Sequence, residues 1–215
     1  MGFYSWLMAQ GYDLAIDKTE QRCLSQWRRE LLTEASGGLL EIGAGTGMNL
    51  PYYPSHLSQI TLSEPDPHMR AQLQKKLTLN PLPSSLVTDW PAEQLDLPDH
   101  SIDTMVSTLV LCSVTCTRQT LQELYRVLRP GGQLLFIEHV VAAEKTTVRW
   151  QKLWEPAWRC CCGNCHLTRD TLYSMEETGL VIEQLTESDI VGAPAIVRRA
   201  LRGRARKPLI SSKRK

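Results

Sequence analysis

The residues best suited to chemistry begin with Glu41-Ile42-Gly43-Ala44-Gly45-Thr46-Gly47. They follow Leu39-Leu40, an apolar stretch that reads as part of a short buried strand. Glycines at such a place let the chain turn sharply and let a ligand come against the backbone. Ligands of open α/β sheets sit at the carboxyl ends of the strands. The spacing departs from the dinucleotide pattern, because Met48 stands where G-x-G-x-x-G needs its third glycine. Glu64-Pro65 follows a second apolar segment, 21 residues after Gly43. A carboxylate so placed can accept hydrogen bonds from both hydroxyls of a ribose; the alternative is an exposed turn acid.

His139 closes a later apolar run and is the candidate to orient or deprotonate a reacting group, with a structural histidine as the alternative. Cys162 and Cys165 have a zinc-compatible spacing, but no second ligand pair of matching spacing accompanies them, so no metal is expected. Cysteines buried or in a lid account for them instead. Trp150, Trp154 and Trp158 recur every four residues and so share one face of a helix. Such a stripe packs in a core or lid, or walls an apolar acceptor pocket.

Elements that can position these groups follow from periodicity. Residues 3–35 read as helical and stop at Gly37-Gly38. Strands are expected at 39–42, 60–62, 85–88, within 102–111 and at 133–137. Met69, Leu73 and Leu77 mark a helix after the second strand, and Leu121, Leu124, Tyr125 and Leu128 mark another before Pro130-Gly131-Gly132. A Trp-rich segment at 145–162, a helix near 168–178 and closing strands at 181–185 and 195–201 complete the order. Alternating strands and helices imply a mainly parallel sheet covered on both faces.

The 215 residues suffice for one domain, and 42% apolar with 22% charged residues is an ordinary globular balance. The net charge of +1 points to neither nucleic acid nor acidic substrates, yet it hides an asymmetry. Nine basic residues and no acid lie between Arg198 and Lys215, leaving 15 basic against 23 acidic elsewhere. That end reads as a solvated tail, with a weak site for an anionic membrane surface or nucleic acid as the alternative. Seven cysteines, an odd number without a secretory signal, suit reduced thiols in the cytoplasm. No stretch reaches the ~20 apolar residues that span a bilayer.

Glu-x-Gly-x-Gly-x-Gly with a strand-end acid resembles the class I S-adenosylmethionine (SAM)-dependent methyltransferases. Ala92-Glu93-Gln94-Leu95-Asp96-Leu97-Pro98 with Ser101-Ile102-Asp103 is similar to that family's adenine loop, and Arg126-Val127-Leu128-Arg129-Pro130-Gly131-Gly132 to its turn into the fifth strand. The resemblance implies a Rossmann-like α/β fold: a mostly parallel seven-stranded sheet with helices on both faces. It implies that Glu41, Gly43, Ala44, Gly45, Thr46 and Gly47 hold the methionine part of SAM, and that Glu64 and Pro65 hold the ribose. Pro91, Ala92 and Glu93 would border the adenine, and Thr108 and Leu109 the reacting centre. Pro91 departs from the aspartate that many members carry there, so Asp89 or backbone groups would have to substitute.

A narrower likeness lies in Thr108-Leu109-Val110-Leu111-Cys112-Ser113-Val114, Glu138-His139-Val140, Pro156-Ala157-Trp158 and Cys165-His166-Leu167-Thr168-Arg169. These segments resemble the thiol S-methyltransferase group and its bacterial relatives, and imply methyl transfer to a small apolar acceptor, a thiol among them. Alternatives are a phospholipid- or quinone-type methyltransferase and a SAM-binding module without catalysis. Neither a nucleic-acid substrate nor an obligate protein partner is implied; the Asn/Asp-Pro-Pro-Tyr/Phe motif of amino-methylating nucleic-acid enzymes is absent after the fourth strand. The expected layout is a helical cap (1–38), a SAM-binding domain (39–201) with an acceptor-side lid (145–178), and a basic tail (202–215).

Overall fold

The computed structural model describes residues 2–209. Helix α1 (Gly2–Thr19) runs through a π-helical turn (Glu20–Leu24) into α2 (Ser25–Leu32). Then come β1 (Gly38–Ile42), β2 (Gln59–Ser63), α3 (Pro67–Leu79), β3 (Ser85–Thr88), β4 (Ile102–Thr108), α4 (Thr117–Val127) and β5 (Leu128–His139). Helices α5 (Lys145–Cys161) and α6 (Thr171–Glu177) precede β6 (Val181–Asp189) and β7 (Arg199–Arg206). The strands form one seven-stranded sheet in the order β3-β2-β1-β4-β5-β7-β6. β1 to β5 pair in parallel, and β7 pairs antiparallel with β5 and β6.

Side chains alternate across a strand, so each central strand feeds two cores. Leu39, Leu62, Val106, Leu135 and Ile137 pack with Leu24, Trp27, Leu31 and Leu73 on one face. Leu40, Ile42, Met105, Leu134 and Phe136 pack with Leu121, Leu124 and Met175 on the other. Burial on both faces explains why these strands read as continuous apolar runs.

Three expectations need correction. Pro130-Gly131-Gly132 does not precede β5 but lies inside it: pairing with β4 jumps from Ile102–Leu128 to Thr104–Gln133, so the segment is taken up as an irregularity of the strand. The last strand is not at 195–201, because residues 194–197 turn back with the Val197 amide donating to the Pro194 carbonyl.

The basic end is not a solvated tail from Arg198 onward, and the boundary expected after residue 201 falls within β7. Leu201, Gly203 and Ala205 are buried on one face, while Arg202, Arg204 and Arg206 share the other with the buried Ala200. Arg202 pairs with Glu30, Arg204 with Glu34 and Glu183, Arg206 with Glu183, and Arg199 with Glu187. Lys207 is buried and donates to the Tyr125 and Leu128 carbonyls at 2.5 and 2.8 Å. Residues 210–215, with Lys213, Arg214 and Lys215, lie outside the described residues.

Candidate active site

The carboxyl ends of β1, β2, β4 and β5 open on the same edge of the sheet. After β1 the chain turns through Gly43 and Gly45, each with φ +56°. At Gly43 a Cβ would stand 2.7 Å from Val110, so glycine is what lets the loops after β1 and β4 approach. At Gly45 a Cβ would meet nothing nearer than 3.9 Å, leaving open space against the backbone. The two openings differ: one is filled by protein, the other leaves an open cradle against the backbone.

Glu64 follows β2, is buried, and faces that cradle. Its carboxylate accepts from the Gly45 amide at 2.7 Å through one oxygen and from the Asp66 amide at 2.8 Å through the other. Burial raises its pKa above the ordinary carboxylate value, with the Asp66 and Gly45 amides opposing. Each oxygen keeps a lone pair for a hydroxyl group. Pro65 leads to Asp66, whose side chain caps α3 by accepting from the His68 and Met69 amides.

Glu41 stands behind the loop. Its oxygens accept from Asn49 at 2.7 Å and from the Tyr53 hydroxyl at 2.5 Å. The Asn49 side-chain carbonyl accepts from Arg28 at 2.8 Å, and the Arg28 guanidinium pairs with Glu20 at 2.7 Å. Asn49 also donates to the Thr108 hydroxyl at the end of β4, at 3.1 Å. One buried polar chain thus ties the helical cap to β1 and β4. Thr46 adds a second tie, donating to Asp13, which Lys76 also holds at 2.6 Å.

Just after β3 a cleft of about 470 Å³ is lined by Asp89, Trp90, Pro91, Gln94, Leu95 and Asp96. Asp89 therefore shares the cleft wall with Pro91. Ala92 is buried beneath it. Glu93 turns away to the loop before α4, accepting from the Thr115 and Cys116 amides at 2.7 and 3.4 Å.

Leu109 sits in the left-handed region at φ +59°, which costs a non-glycine residue strain of order 1–3 kcal/mol. What holds it there is the Leu109 amide donating to the Ile137 carbonyl at 2.7 Å, and Glu138 just beyond. One Glu138 oxygen accepts from Ser107 at 2.6 Å and from the Val110 and Leu111 amides at 3.2 and 3.1 Å. Burial raises its pKa, opposed chiefly by Ser107.

His139, only 3% exposed, ends β5 beside two thiols. Cys165 Sγ lies 3.6 Å from His139 Nδ1, and the ligand atoms of Cys112, His139 and Cys165 fall within 4.8 Å of one another. The hydrogen bond to Cys165, with burial, pushes the Cys112 thiol well up; the same bond draws the Cys165 thiol down. Among the cysteines of 160–162, Cys160 and Cys161 are exposed. Trp150 and Trp154 are 57% and 52% exposed, so this part of the stripe does not pack in the core; Trp158 stands by Cys165, whose thiolate its indole favours.

Sequence reasoning missed Arg28, Asn49, Tyr12 and Asp13, which no motif marks. Burial raises the Tyr12 phenol, with Arg28 opposing.

Comparison with known proteins agrees with this arrangement. Residues 40–136 match the methyltransferase domain family. The chain is 38% identical over 185 residues to human thiol S-methyltransferase TMT1B, covering 81% of this chain and 73% of that protein. It is 30% identical over 149 residues to the phosphatidylethanolamine N-methyltransferase of Cereibacter sphaeroides, covering 65% of this chain and 72% of that one. A SAM-dependent methyltransferase of Thermotoga maritima, described as a possible histamine N-methyltransferase, has the same fold at a TM-score of 0.68 and 19% identity, covering 96% of this chain and all of that one. Sequence relatives and solved folds thus converge on what the turn after β1 and the acid after β2 imply, and the chain belongs to the class I SAM-dependent methyltransferases.

Proposed function

We propose that the protein transfers the methyl group of SAM to the thiol of a small apolar acceptor. SAM supplies a methyl carbon on a positive sulfur, which leaves as a neutral thioether. The carrying observation is the state of the acids near the reacting edge. Glu41 and Glu64 are buried and hold protein donors through both oxygens. Glu138 is buried and holds three through one oxygen, its other oxygen having no partner. Cys112 donates to the Leu109 carbonyl at 3.6 Å, with His139 and Cys165 grouped beside it. A hydroxyl acceptor needs a strong base; a thiol with a pKa near 8.5 needs little help at neutral pH.

In this reading the residues at 43–47, with Glu41 bracing them from behind, hold the methionine part of SAM. Glu64 and Pro65 hold the ribose; Pro91 and Ala92 border the adenine, with Glu93 shaping its loop. Thr108 and Leu109 face the methyl group and His139 orients the acceptor. The segment 145–178 covers the acceptor side: Glu155 accepts from Thr168, and Arg169 holds the Leu111 and Val114 carbonyls. All seven cysteines are free, which suits the cytoplasm, and no helix among the described residues is long and apolar enough to cross a membrane.

Two measurements test this. SAM and its demethylated product should raise the melting temperature, and NAD should not. Ligand at a hundredfold excess over its Kd adds about 2.7 kcal/mol of stability; a response to NAD alone would remove the cofactor assignment. With labelled SAM, a thiol should be methylated faster than a phenol of equal size, at a rate that rises with pH as thiolate forms. Transfer to the phenol alone would sink the thiol reading.

A second reading, a lipid-borne acceptor, draws on α5. Its exposed Trp150, Leu153 and Trp154 sit beside Arg149 and Lys152, a composition that suits a membrane interface. Co-sedimentation with anionic vesicles that disappears in Trp150→Ser/Trp154→Ser would favour it.

A further inference from the structure

We propose that Cys112, His139 and Cys165 form a three-ligand site for a thiophilic divalent cation, zinc being the type, with the fourth position taken by the acceptor sulfur. Among the described residues this is the one group of histidine, cysteine or acidic side chains that converges so closely. The three come from different elements: the loop after β4, the last residue of β5, and the loop between α5 and α6. Zinc held at ~2.3 Å from sulfur and ~2.0 Å from nitrogen keeps its tetrahedral ligand atoms about 3.5–3.8 Å apart. The 3.6 Å between Cys165 Sγ and His139 Nδ1 already has that span.

Two further observations point the same way. No carboxylate or backbone carbonyl holds the His139 ring: its Nδ1 meets the Cys165 sulfur at 3.6 Å and its Nε2 is buried without a partner. With Nδ1 free of any carboxylate or carbonyl partner it can serve as the ligand atom, and Nε2 then carries the ring proton and is left for a water. The backbone around the group is also fixed in advance. Glu138 holds the Val110 and Leu111 amides, the His166 amide donates to the Cys112 carbonyl at 2.8 Å, and Asn164 donates to the Ser113 carbonyl at 2.9 Å.

Two sulfurs and an imidazole select a borderline or soft cation and disfavour magnesium or calcium, which take oxygen ligands. Three protein ligands with one open position is the catalytic form of a zinc site. The identity of the fourth ligand rests on the thiol reading above; the three-ligand site does not. Ligation replaces the acceptor's S–H proton, which leaves to solvent, and presents the sulfur as a thiolate. Its electron pair then forms the new S–CH3 bond while the C–S bond of the sulfonium breaks, the bonding pair staying on the departing thioether.

The test uses full-length protein carrying Cys160→Ser, Cys161→Ser and Cys162→Ser, which removes the neighbouring thiols. It is freed of metal by a chelator under reducing, air-free conditions and titrated with Co2+, then Zn2+. The expected result is one equivalent bound, a thiolate-to-cobalt charge-transfer band, and its loss on adding zinc. Adding Cys165→Ser or His139→Ala should weaken zinc binding at least about tenfold, while SAM binding by calorimetry shows that each variant is folded. No cobalt band in the parent protein, or unchanged zinc affinity in folded Cys165→Ser, overturns the site.

Methylation of a thiol across pH tests the fourth ligand. Zinc-loaded protein should reach half-maximal rate below the acceptor's own pKa, and metal-free protein near it. Coincident profiles overturn that role while leaving the thiol reading intact. Metal bound through all three residues with no thiol methylated in either state leaves the site standing and removes the thiol reading.

Discussion

Replacing Arg28 by alanine should destabilise the fold by about 3–5 kcal/mol, the loss expected when one partner of a buried ion pair is removed. Arg28 is 4% exposed and Glu20 6%, and their side chains meet at 2.7 Å. Alanine would leave the Glu20 carboxylate buried without its cation and would take from Asn49 the donor that fixes its amide. For a chain of this size the melting temperature should fall on the order of 10 °C. SAM affinity should fall with it, because Asn49 links Arg28 to both Glu41 and Thr108. Arg28→Leu combined with Glu20→Leu should recover most of the stability, since removing both charges leaves no orphan. A loss below about 1 kcal/mol in Arg28→Ala, the range of exposed pairs, would mean that water reaches Glu20.

Glu64→Ala should weaken SAM binding by about 1.5–3 kcal/mol, the range of hydrogen bonds to a charged group, or roughly ten- to a hundredfold in Kd. The fold should survive, because the two amides that Glu64 holds belong to a loop and a helix entry. A pH dependence follows from the direction of its pKa. Burial raises the free carboxyl above the ordinary value, and ribose hydroxyls donating to the carboxylate favour its charged form. Binding therefore pulls the pKa back down, so affinity should be full above the raised pKa and fall as pH drops through it. The stability link has the opposite sign. A carboxyl raised in the native state contributes stability below the unfolded pKa and loses it as pH rises through the folded value. Calorimetry of wild type and Glu64→Ala across the acid range separates the two effects. Equal affinities at neutral pH, or the same pH profile in both proteins, would take the ribose role from Glu64.

Much of this site was written in local pattern. The run at 39–47 specifies a buried strand and a left-handed turn at once, because apolar side chains fill both faces of a central parallel strand and only glycine turns freely at positive φ. Glu64 follows the same logic one strand over. The helices after β2 and β4 declare themselves by apolar spacing, and the strand expected at 85–88 is where β3 lies.

The basic end shows where composition misleads. As a charge block it reads as a solvated tail, yet Arg202-Gly203-Arg204-Ala205-Arg206 also alternates with the period of a strand. Deciding between the two needs Glu30, Glu34 and Glu183, which are distant in sequence and reach the arginines only once α2 and β6 have packed.

By itself, then, the sequence determined the order of elements, the glycine turn after β1 and the acid that faces it, since each depends on residues within one or two turns of chain. Tertiary structure alone decided the antiparallel placement of β7, the buried chain from Glu20 to Thr108, and the meeting of Cys112, His139 and Cys165. The three ligand residues stand 26 or more positions apart, and the polar chain joins α2 to β1 and β4 through Arg28–Asn49 and Asn49–Thr108, 21 and 59 positions apart. No spacing rule relates them; the helical cap and the α5–α6 loop packing against strands that end on one edge of the sheet are what bring them together.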